Sequence, residues 1–547
     1  MSDAAVARDA IARWHGLLED AELAAECAGR MDEEHRRRGM YFGDRPLCSV
    51  LRPRMLTPGQ YRWIRREIAT LMRAFTRIHE RAVVDQAFRA QFRLLDWEET
   101  LVHDDPGFAS PSPTSRLDAF FSSDDQTLRF TEYNAETPAG PAYMDELSEV
   151  FLALPVTGRF LQSHVLHPLP ARHGVLHALL GAWREFSGGR ELPRIGILDW
   201  SDVPTVSEFN FFRDYFRSHG IQAEIHDPRE CEYREGKLFA PNGFQIDLIY
   251  KRVLIDELVL RMGIDSPVVR AVRDRAVCMV NPFRCKIVYK KASLAVLGDE
   301  RNAEMFDPTE LAAVRAHVPW TRVVEERRTE KDGAQIDLLS WAAQNRERLV
   351  LKPNDDYGGR GIVLGWLVAD EEWQATVRAA LDAPYVVQER IVLPTEPFPS
   401  WVDGRVEVID RMLDLAPFVS HTSEMPQIFA DQFGWEENRL PASGSYFSRT
   451  DLFDRGGERL LAGAVPGVGQ LAFTRALLHQ QQAEERGLAG AAGAGQEGHL
   501  ATRQLEIGVV EDVPAVGLVA MADVGEADQG VAAHRASPSA APPTRAS

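Results

Sequence analysis

The N-terminal part of the chain alternates helical patterns with short polar breaks. Residues 57–60 (Thr-Pro-Gly-Gln) have the form of a capping box with proline at the first helical position. Beyond them, apolar residues recur at three- and four-residue steps, namely Tyr61, Ile64, Ile68, Leu71, Phe75 and Ile78. The spacing predicts an amphipathic helix whose apolar stripe belongs to a core. We therefore expect residues 1–110 to form a helical N-terminal part.

A period of two then replaces the helical period. It predicts two strands, at 116–121 and 128–134, joined by a turn. Alternation places Asp118 on one face of the first strand, and Glu132 and Asn134 together on one face of the second. Three oxygen-bearing side chains can therefore converge.

Further along the chain, apolar strand patterns alternate with helical ones. The pattern predicts strands at 194–199, 220–226 and 246–250, and a helix at 207–218. Strand, helix and strand, with a turn before each new strand, is typical of a parallel α/β layer. A second region of this type begins near Ala276.

The composition changes after about residue 420. No Phe, Trp or Tyr follows Phe473, and residues 487–495 and 537–547 are low-complexity segments. A segment of this kind buries too little apolar surface to offset the entropy of ordering it. We expect residues 421–547 to form a divergent and partly disordered tail.

The overall composition disfavours several classes of protein. A chain of 547 residues is long enough for two or three domains, since domains usually contain ~100–150 residues. Its net charge of −19 disfavours nucleic acids and membrane surfaces as partners, because both present negative charge. The N-terminus is acidic where a secretory signal needs a basic start and an apolar run, so we expect a cytoplasmic protein. The five cysteines form no CxxC pair, which disfavours a disulfide framework and a cysteine zinc site.

A glycine-rich stretch at 352–364 predicts a strand, a loop and a second strand. Lys352 ends the first strand, and the loop offers flexible backbone N–H groups together with Arg360. Such a loop can close over a polyphosphate, although it is not a P-loop, because no Lys-Ser or Lys-Thr follows the glycines. A plain tight turn is the alternative.

Three other stretches could carry chemistry. Glu132 and Asn134, a carboxylate and an amide two residues apart, can chelate a hard cation such as Mg²⁺, and a polar strand end is the alternative. The strand at 385–391 ends in polar residues that could hold adenine and ribose, or it could be an edge strand with an exposed acid. Lys290 and Lys291 begin an apolar helix, and their alternative is solvated surface.

In chain order, these elements resemble the circularly permuted ATP-grasp proteins, among them the synthetase domain of glutathionylspermidine synthetase. The resemblance rests on Arg116-x-Asp118, on Glu132-x-Asn134-Ala-Glu-Thr-Pro, on Lys291 before a helix, on Lys352-Pro with the glycine-rich Arg360 loop, and on Val-Val-Gln388-Glu389. It covers roughly residues 40–420. It implies a mixed α+β and α/β fold, with a circularly permuted ATP-grasp core, a Rossmann-like α/β layer and a helical N-terminal part.

The resemblance also implies a role for each of these residues. Asp118, Glu132 and Asn134 would be the ligands of the magnesium ions that bridge the ATP phosphates. Arg116 would steady the acyl-phosphate and the tetrahedral intermediate, and Arg360 would close the lid. Lys291 and Lys352 would hold the phosphates of the nucleotide, and Gln388 and Glu389 would hold its adenosine. Gly358, Gly359 and Arg360 of the glycine-rich loop would bind the nucleotide as well.

The predicted organisation has five segments: the helical N-terminal part at 1–110, the metal-binding strands of the permuted core at 111–190, the Rossmann-like layer at 191–275, the nucleotide-binding lobe at 276–420 and the tail at 421–547. The C-terminal side departs from the family. Relatives commonly have an Arg-containing strand and a triple-glycine segment after the part that matches 414–418, and this chain has neither.

The residues and the resemblance together predict an ATP- and Mg²⁺-dependent ligase that joins a carboxylate to an amine through an acyl-phosphate and forms ADP. Phosphoryl transfer to a carboxylate brings two anions together, so cations must neutralise charge while a lid excludes water. The partners would be small-molecule or peptide acids and amines. Two alternatives stay open: a non-catalytic nucleotide-binding or scaffold protein with a degenerate C-terminus, and a kinase that uses the same site.

Overall fold

The computed structural model describes residues 2–42, 45–203, 205–356, 359–422, 444–446 and 518–523. Its N-terminal part is mostly helical and contains α1 (Asp3–Leu17), α2 (Ala21–Arg38), β1 (Tyr41–Phe42), β2 (Arg45–Pro46), β3 (Arg54–Leu56), α3 (Pro58–Val84), α4 (Gln86–Arg89) and α5 (Asp96–Leu101). The predicted capping box at the start of α3 is confirmed, because Thr57 and Gln60 each accept a hydrogen bond from the other's backbone N–H. The predicted apolar stripe of α3 is buried.

The next part begins with a hairpin that we call the acid hairpin. The elements are β4 (Thr114–Ser122), β5 (Thr127–Asn134), α6 (Pro141–Ala153), α7 (Pro155–Phe160), β6 (His164–Pro168) and α8 (Arg172–Ser187). β4 and β5 are antiparallel, with an irregularity between Asp118 and Ala119. One face of the hairpin packs on α3, where the rings of Tyr133 and Phe75 lie 4.4 Å apart.

A layer with a parallel sheet follows. Its elements are β7 (Ile195–Leu198), α9 (Val206–Ser218), β8 (Ala223–His226), β9 (Glu232–Arg234), β10 (Lys237–Phe239), β11 (Gln245–Ile246), β12 (Leu248–Lys251), α10 (Ile255–Met262), α11 (Pro267–Arg273) and β13 (Cys278–Val280). β13, β12, β7 and β8 lie side by side in that order and are parallel. α8 and α9 cover one face, and α10 and α11 cover the other. The carboxyl end of β12 contacts the loop after the acid hairpin through Lys251 and Arg252.

The following part contains an antiparallel sheet backed by two helices. Its elements are α12 (Cys285–Tyr289), α13 (Ala292–Gly298), α14 (Pro308–His317), β14 (Thr321–Val323), β15 (Arg328–Lys331), β16 (Ala334–Asp337), α15 (Leu338–Gln344), β17 (Leu349–Pro353), β18 (Val363–Leu364), α16 (Asp370–Ala379) and β19 (Tyr385–Glu389). The strand order is β14, β19, β17 and β18, each pair antiparallel. α15 and α16 cover one face around the buried Trp373. The other face turns toward the acid hairpin, because Lys352 donates to the Thr131 carbonyl.

The remaining strands return to earlier parts of the chain. They are β20 (Thr395–Val402), β21 (Arg405–Met412), β22 (Phe418–Thr422), β23 (Gly444–Tyr446) and β24 (Leu518–Asp523). β20 and β21 form a hairpin, while β22 and β23 extend the acid hairpin to the strand order β23, β22, β4 and β5. β24 lies between β3 and β6. Parts of the predicted tail at 421–547 therefore form strands, and the rest of that segment lies outside the described residues.

One hydrophobic core joins the N-terminal helices, the acid hairpin, α13 and α14. The acid hairpin is thereby held between the helical part on one side and the antiparallel sheet on the other. No helix in the part of the chain that the structure describes is both long enough and apolar enough to cross a membrane.

Candidate functional site

Four polar side chains lie opposite one another on the acid hairpin. In the register of β4 and β5, Asp118 pairs with Glu132, and Arg116 pairs with Asn134. Directly opposed residues of an antiparallel pair project from the same face, with their Cβ atoms about 5 Å apart. The two strands therefore bring the four residues to one face, as alternation predicts.

Arg116 and Asp118 form a buried ion pair within this group. The Arg116 Nε lies 2.6 Å from Asp118 Oδ1 and its Nη2 lies 2.8 Å from Oδ2, while Nη1 donates to the Ala139 carbonyl at 2.7 Å. Burial raises the pKa of the Asp118 carboxyl although Arg116 opposes this shift, and the Glu132 charge acts in the same direction as burial. The negative charge gathered on this face would therefore be stabilised further by a cation.

The oxygen donors of the hairpin fit a hard cation such as Mg²⁺. The Asn134 Oδ1 atom is buried, and no hydrogen-bond donor among the described residues reaches it. Glu132 is partly exposed and can offer its carboxylate, whereas both Asp118 oxygens already accept from Arg116. Across the described ranges, no group of three or more His, Cys, Asp or Glu side chains is arranged as a metal site. An ion held here would therefore depend on the Asn134 amide and on phosphate oxygens for part of its shell.

Two lysines approach the acid hairpin from the antiparallel part of the fold. Lys291 Nζ lies 3.8 Å from Glu132 Oε2 and donates to the Asp356 carbonyl at 2.6 Å. Lys352 Nζ lies 2.7 Å from the Gln388 Oε1 atom. Burial lowers the pKa of Lys352 to about 8, although the Glu132 charge opposes the shift. A phosphate group bound here would favour the charged form of Lys352, which burial disfavours.

The residues assigned to the adenosine by resemblance do not lie together. Gln388 is buried and bridges Lys352 and the Thr321 hydroxyl, to which its amide donates at 3.0 Å. Glu389 projects from the opposite face of β19, since neighbouring strand residues alternate. There its carboxylate pairs with Lys331 at 3.3 Å and with Arg348 at 3.0 Å. Of the two residues, only Gln388 contacts Lys352.

The glycine-rich loop is described at its two ends. Gly359 has a φ of +72°, a conformation that favours glycine because other residues are strained there. Arg360 is exposed, and Gly358 lies outside the described residues. The preceding residues 354–356 lie against the start of α13, where the Asn354 carbonyl accepts from the Lys291 N–H at 3.0 Å.

Sequence reasoning missed a buried cluster of charges next to this site. We call it the lysine cluster, and its members are Glu98, Glu136, Lys251, Lys286, Lys290 and Asp355. The alternative that Lys290 and Lys291 are solvated surface is wrong, because both side chains are buried. The sequence carried one signal for this cluster, namely Glu136 in the Ala-Glu-Thr-Pro motif, since a carboxylate that becomes buried needs a partner.

Polar side chains from the parallel layer also form hydrogen bonds with the backbone of the segment that follows the acid hairpin. The Asn281 amide donates to the carbonyls of Ala135 and Glu136 at 3.0 and 2.9 Å. The Arg252 guanidinium donates to the Pro138 carbonyl at 2.7 Å, and Glu208 accepts from the Gly140 N–H at 2.8 Å. These contacts fix the course of the Asn-Ala-Glu-Thr-Pro-Ala-Gly stretch that carries part of the family resemblance.

Comparison with known proteins supports the fold. No family model matches the sequence. It is 24% identical over 305 residues to the uncharacterized protein Rv2411c of Mycobacterium tuberculosis, a match that covers 53% of this chain and 50% of that protein. The chain thus spans about half the length of the curated relatives it matches.

Two solved structures show how far the likeness extends. A glutathione synthetase-like effector, GSS30 from Globodera pallida in its apo form, has a TM-score of 0.51 at 15% identity, covering 79% of this chain and 94% of that protein. A putative gamma-glutamylcysteine synthetase from Methylobacillus flagellatus KT has a TM-score of 0.33 at 12% identity, covering 76% and 96%. Only the first score indicates a shared fold. The chain therefore has a mixed α/β fold similar to that of this glutathione synthetase-like effector.

Proposed function

We propose that the chain is an ATP- and Mg²⁺-dependent ligase that joins a carboxylate to an amine through an acyl-phosphate and releases ADP. The observation that carries the proposal is the meeting of oxygen donors and lysines at one place. Lys291 lies 3.8 Å from Glu132, and Lys352 donates at 3.2 Å to the carbonyl of the adjacent Thr131. Phosphoryl transfer to a carboxylate requires this combination, because the reacting groups are both anions.

The residues of the site divide into ion-holding and phosphate-holding groups. Bound Mg²⁺ would neutralise the ATP phosphates and orient them for transfer. Glu132 and Asn134 would hold the ion through their oxygen atoms, and Asp118 would join them. Lys291 and Lys352 would bind phosphate oxygens on the opposite side.

Arg116 and Arg360 complete the proposed machinery. Arg116 lies on the same face as the oxygen donors, where its guanidinium would stabilise the negative charge of the acyl-phosphate and of the tetrahedral intermediate. Arg360, with Gly358 and Gly359, would close the glycine-rich loop over the nucleotide and keep water from the acyl-phosphate. Gln388 would support Lys352 and border the nucleotide.

The proposed fold is the circularly permuted form of the ATP-grasp core. Two observations support it: the acid hairpin precedes the antiparallel sheet in the chain, and β22 returns to pair with β4. The parallel sheet with helices on both faces would be the Rossmann-like layer, and its carboxyl edge beside Arg252 would border the acid or amine substrate. The glutathione synthetase-like neighbour favours ligase chemistry over other uses of ATP.

The test is ADP release from ATP and Mg²⁺ in the presence of panels of carboxylic acids and amines. Glu132→Gln removes a proposed ion ligand, and Glu407→Gln is its control, because Glu407 lies on β21 in a solvent-exposed pair with Arg405. We expect E132Q to abolish ADP release and to weaken Mg²⁺-dependent nucleotide binding, and E407Q to keep most of both.

Each rival reading has its own outcome in this assay. ADP release that requires an acid but no amine identifies a kinase. Nucleotide binding without turnover under any combination identifies a non-catalytic nucleotide-binding protein. No Mg²⁺-dependent nucleotide binding by the wild-type chain contradicts the proposal as a whole.

A further inference from the structure

Lys286 stands at the centre of the lysine cluster, outside the proposed site. Its side chain is 1% exposed, and its ammonium lies 2.7 Å from Asp355 Oδ1, 3.3 Å from Glu136 Oε2 and 3.5 Å from Glu98 Oε1. Burial acts to lower the pKa of Lys286, yet the three carboxylates raise it well above its usual value. The side chain is therefore charged and held from several directions.

The two carboxylates closest to Lys286 belong to opposite sides of the proposed nucleotide site. Glu136 follows the acid hairpin, two residues after Asn134. Asp355 follows β17, three residues after Lys352, at the entrance to the glycine-rich loop. One buried ammonium thus connects the strand that carries the oxygen donors with the segment that leads into the loop.

Other contacts hold the same entrance to the loop in place. Lys290 Nζ lies 2.5 Å from Asp355 Oδ2, and Lys291 Nζ donates to the Asp356 carbonyl at 2.6 Å. The Asn354 side chain accepts from the first backbone N–H of α13 at 2.8 Å. Two of the three lysines continue from this entrance toward the acid hairpin: Lys291 lies 3.8 Å from Glu132, and Lys286 lies closer to its partner, 3.3 Å from Glu136. Lys286 pairs with a carboxylate on each side, whereas Lys291 holds the loop entrance through a backbone carbonyl.

We propose that Lys286 is a positioning residue that sets the separation of the acid hairpin and the glycine-rich loop, by holding Glu136 and Asp355 on one ammonium. The inference rests on the proposed function, since it gives Lys286 a task in nucleotide binding. A buried ion pair contributes little net stability, but the loss of one partner leaves a buried charge uncompensated and the surrounding groups must move. Groups that support a site from behind decide its geometry, and a shift of about 1 Å can reduce activity about 100-fold.

The experiment compares two lysines of equal burial in the full chain. Lys286→Met removes the bridging ammonium and keeps the length of the side chain. Lys251→Met is the matched control, because Lys251 is also 1% exposed and also pairs with Glu136, at 3.5 Å. Its other hydrogen bond goes to the Val253 carbonyl in the parallel layer, at 3.2 Å. Binding of a fluorescent ATP analogue with Mg²⁺ is measured for both variants, together with hydrogen exchange at 127–134 and 349–356 without nucleotide.

We expect K286M to weaken nucleotide binding about 10- to 100-fold and to raise hydrogen exchange in both segments. K251M should leave the nucleotide affinity near its wild-type value, even if its melting temperature falls as far as that of K286M. Asp355→Asn should reproduce the loss seen in K286M. The double variant K286M/D355N should bind no more weakly than the worse single variant, because both changes remove the same contact.

Equal nucleotide affinity for K286M and K251M, when the wild-type chain binds, would overturn the inference. If K286M does not fold, D355N takes its place against K251M, since the amide keeps the shape of the carboxylate. Failure of the wild-type chain to bind ATP with Mg²⁺ contradicts the proposed function instead. Hydrogen exchange of K286M then still tests whether Lys286 links the two segments. A rise confined to one of the two segments contradicts that link.

Discussion

Replacement of Arg116 by methionine tests whether burial determines how much the ion pair of the acid hairpin contributes to the free energy of unfolding. The pair joins residues two apart on a strand, with side chains 2% and 4% exposed and a shortest distance of 2.6 Å. Arg405 and Glu407 on β21 provide a matched control. They have the same spacing and the same shortest distance of 2.6 Å, but their side chains are 74% and 35% exposed.

The expected loss of stability differs strongly between the two pairs. Arg116→Met leaves the Asp118 carboxylate buried without its cation, and breaking a buried pair in this way costs about 3–5 kcal/mol. A similar figure, about 3–6 kcal/mol, follows from the loss of the two charge-assisted hydrogen bonds at about 1.5–3 kcal/mol each. Arg405→Met removes an exposed pair, which contributes about 0–1 kcal/mol because solvent screens it. The Arg116 loss is a large share of a typical folding free energy of about 5–15 kcal/mol.

Equilibrium urea unfolding, followed by circular dichroism, measures both differences. We expect the midpoint for R116M to fall clearly below that for R405M, with the double variant R116M/D118N recovering part of the loss because it no longer buries an unpaired charge. A loss below about 1 kcal/mol for R116M, similar to that for R405M, would refute the reasoning, since burial would then not determine the strength of the pair.

Three further predictions concern other parts of the fold. Burial lowers the pKa of His79 to about 3, whereas the same group in the unfolded chain has a pKa near 6.5. The unfolded chain therefore binds the proton first on acidification, and stability that is fully present above pH 6.5 falls by about 2 kcal/mol at pH 5. Urea unfolding of His79→Gln should show a smaller loss of stability between pH 8 and 5 than the wild-type chain shows, and an equal loss would contradict this. Gly365→Ala should lower the melting temperature, because an added Cβ would lie 2.1 Å from a backbone carbonyl oxygen, whereas Gly16→Ala, in open space within α1, should raise it slightly; the opposite order would argue against the packing described. Ending the chain at residue 455 removes the strand at 518–523 from the middle of its sheet, so we expect a lower melting temperature, and an unchanged value would show that this strand is dispensable.

The sequence by itself determined the features that depend on near neighbours in the chain. The capping box of Thr57 and Gln60 and the buried stripe of α3 follow from the helical period, which any stretch of a few turns displays. The opposed positions of Asp118 and Glu132 follow from strand alternation and a short turn. The end of β17 at Lys352 and Pro353 follows from an apolar run that meets a glycine-rich stretch.

Only the tertiary structure decided which distant residues meet. Nothing in the sequence pattern indicates that Glu136 pairs with Lys286, because 150 positions separate them and local periodicity carries no information about such a partner. The burial of Lys290, expected at the surface as one alternative, depends on acids brought to it from α5 and from the glycine-rich loop. Glu389 lies on the opposite face of the sheet from Lys352 because the register of β19 against β17 turns it to the helix-covered face. Charges that are costly to bury alone are stabilised by partners from remote segments, and that pairing exists only once the chain has folded.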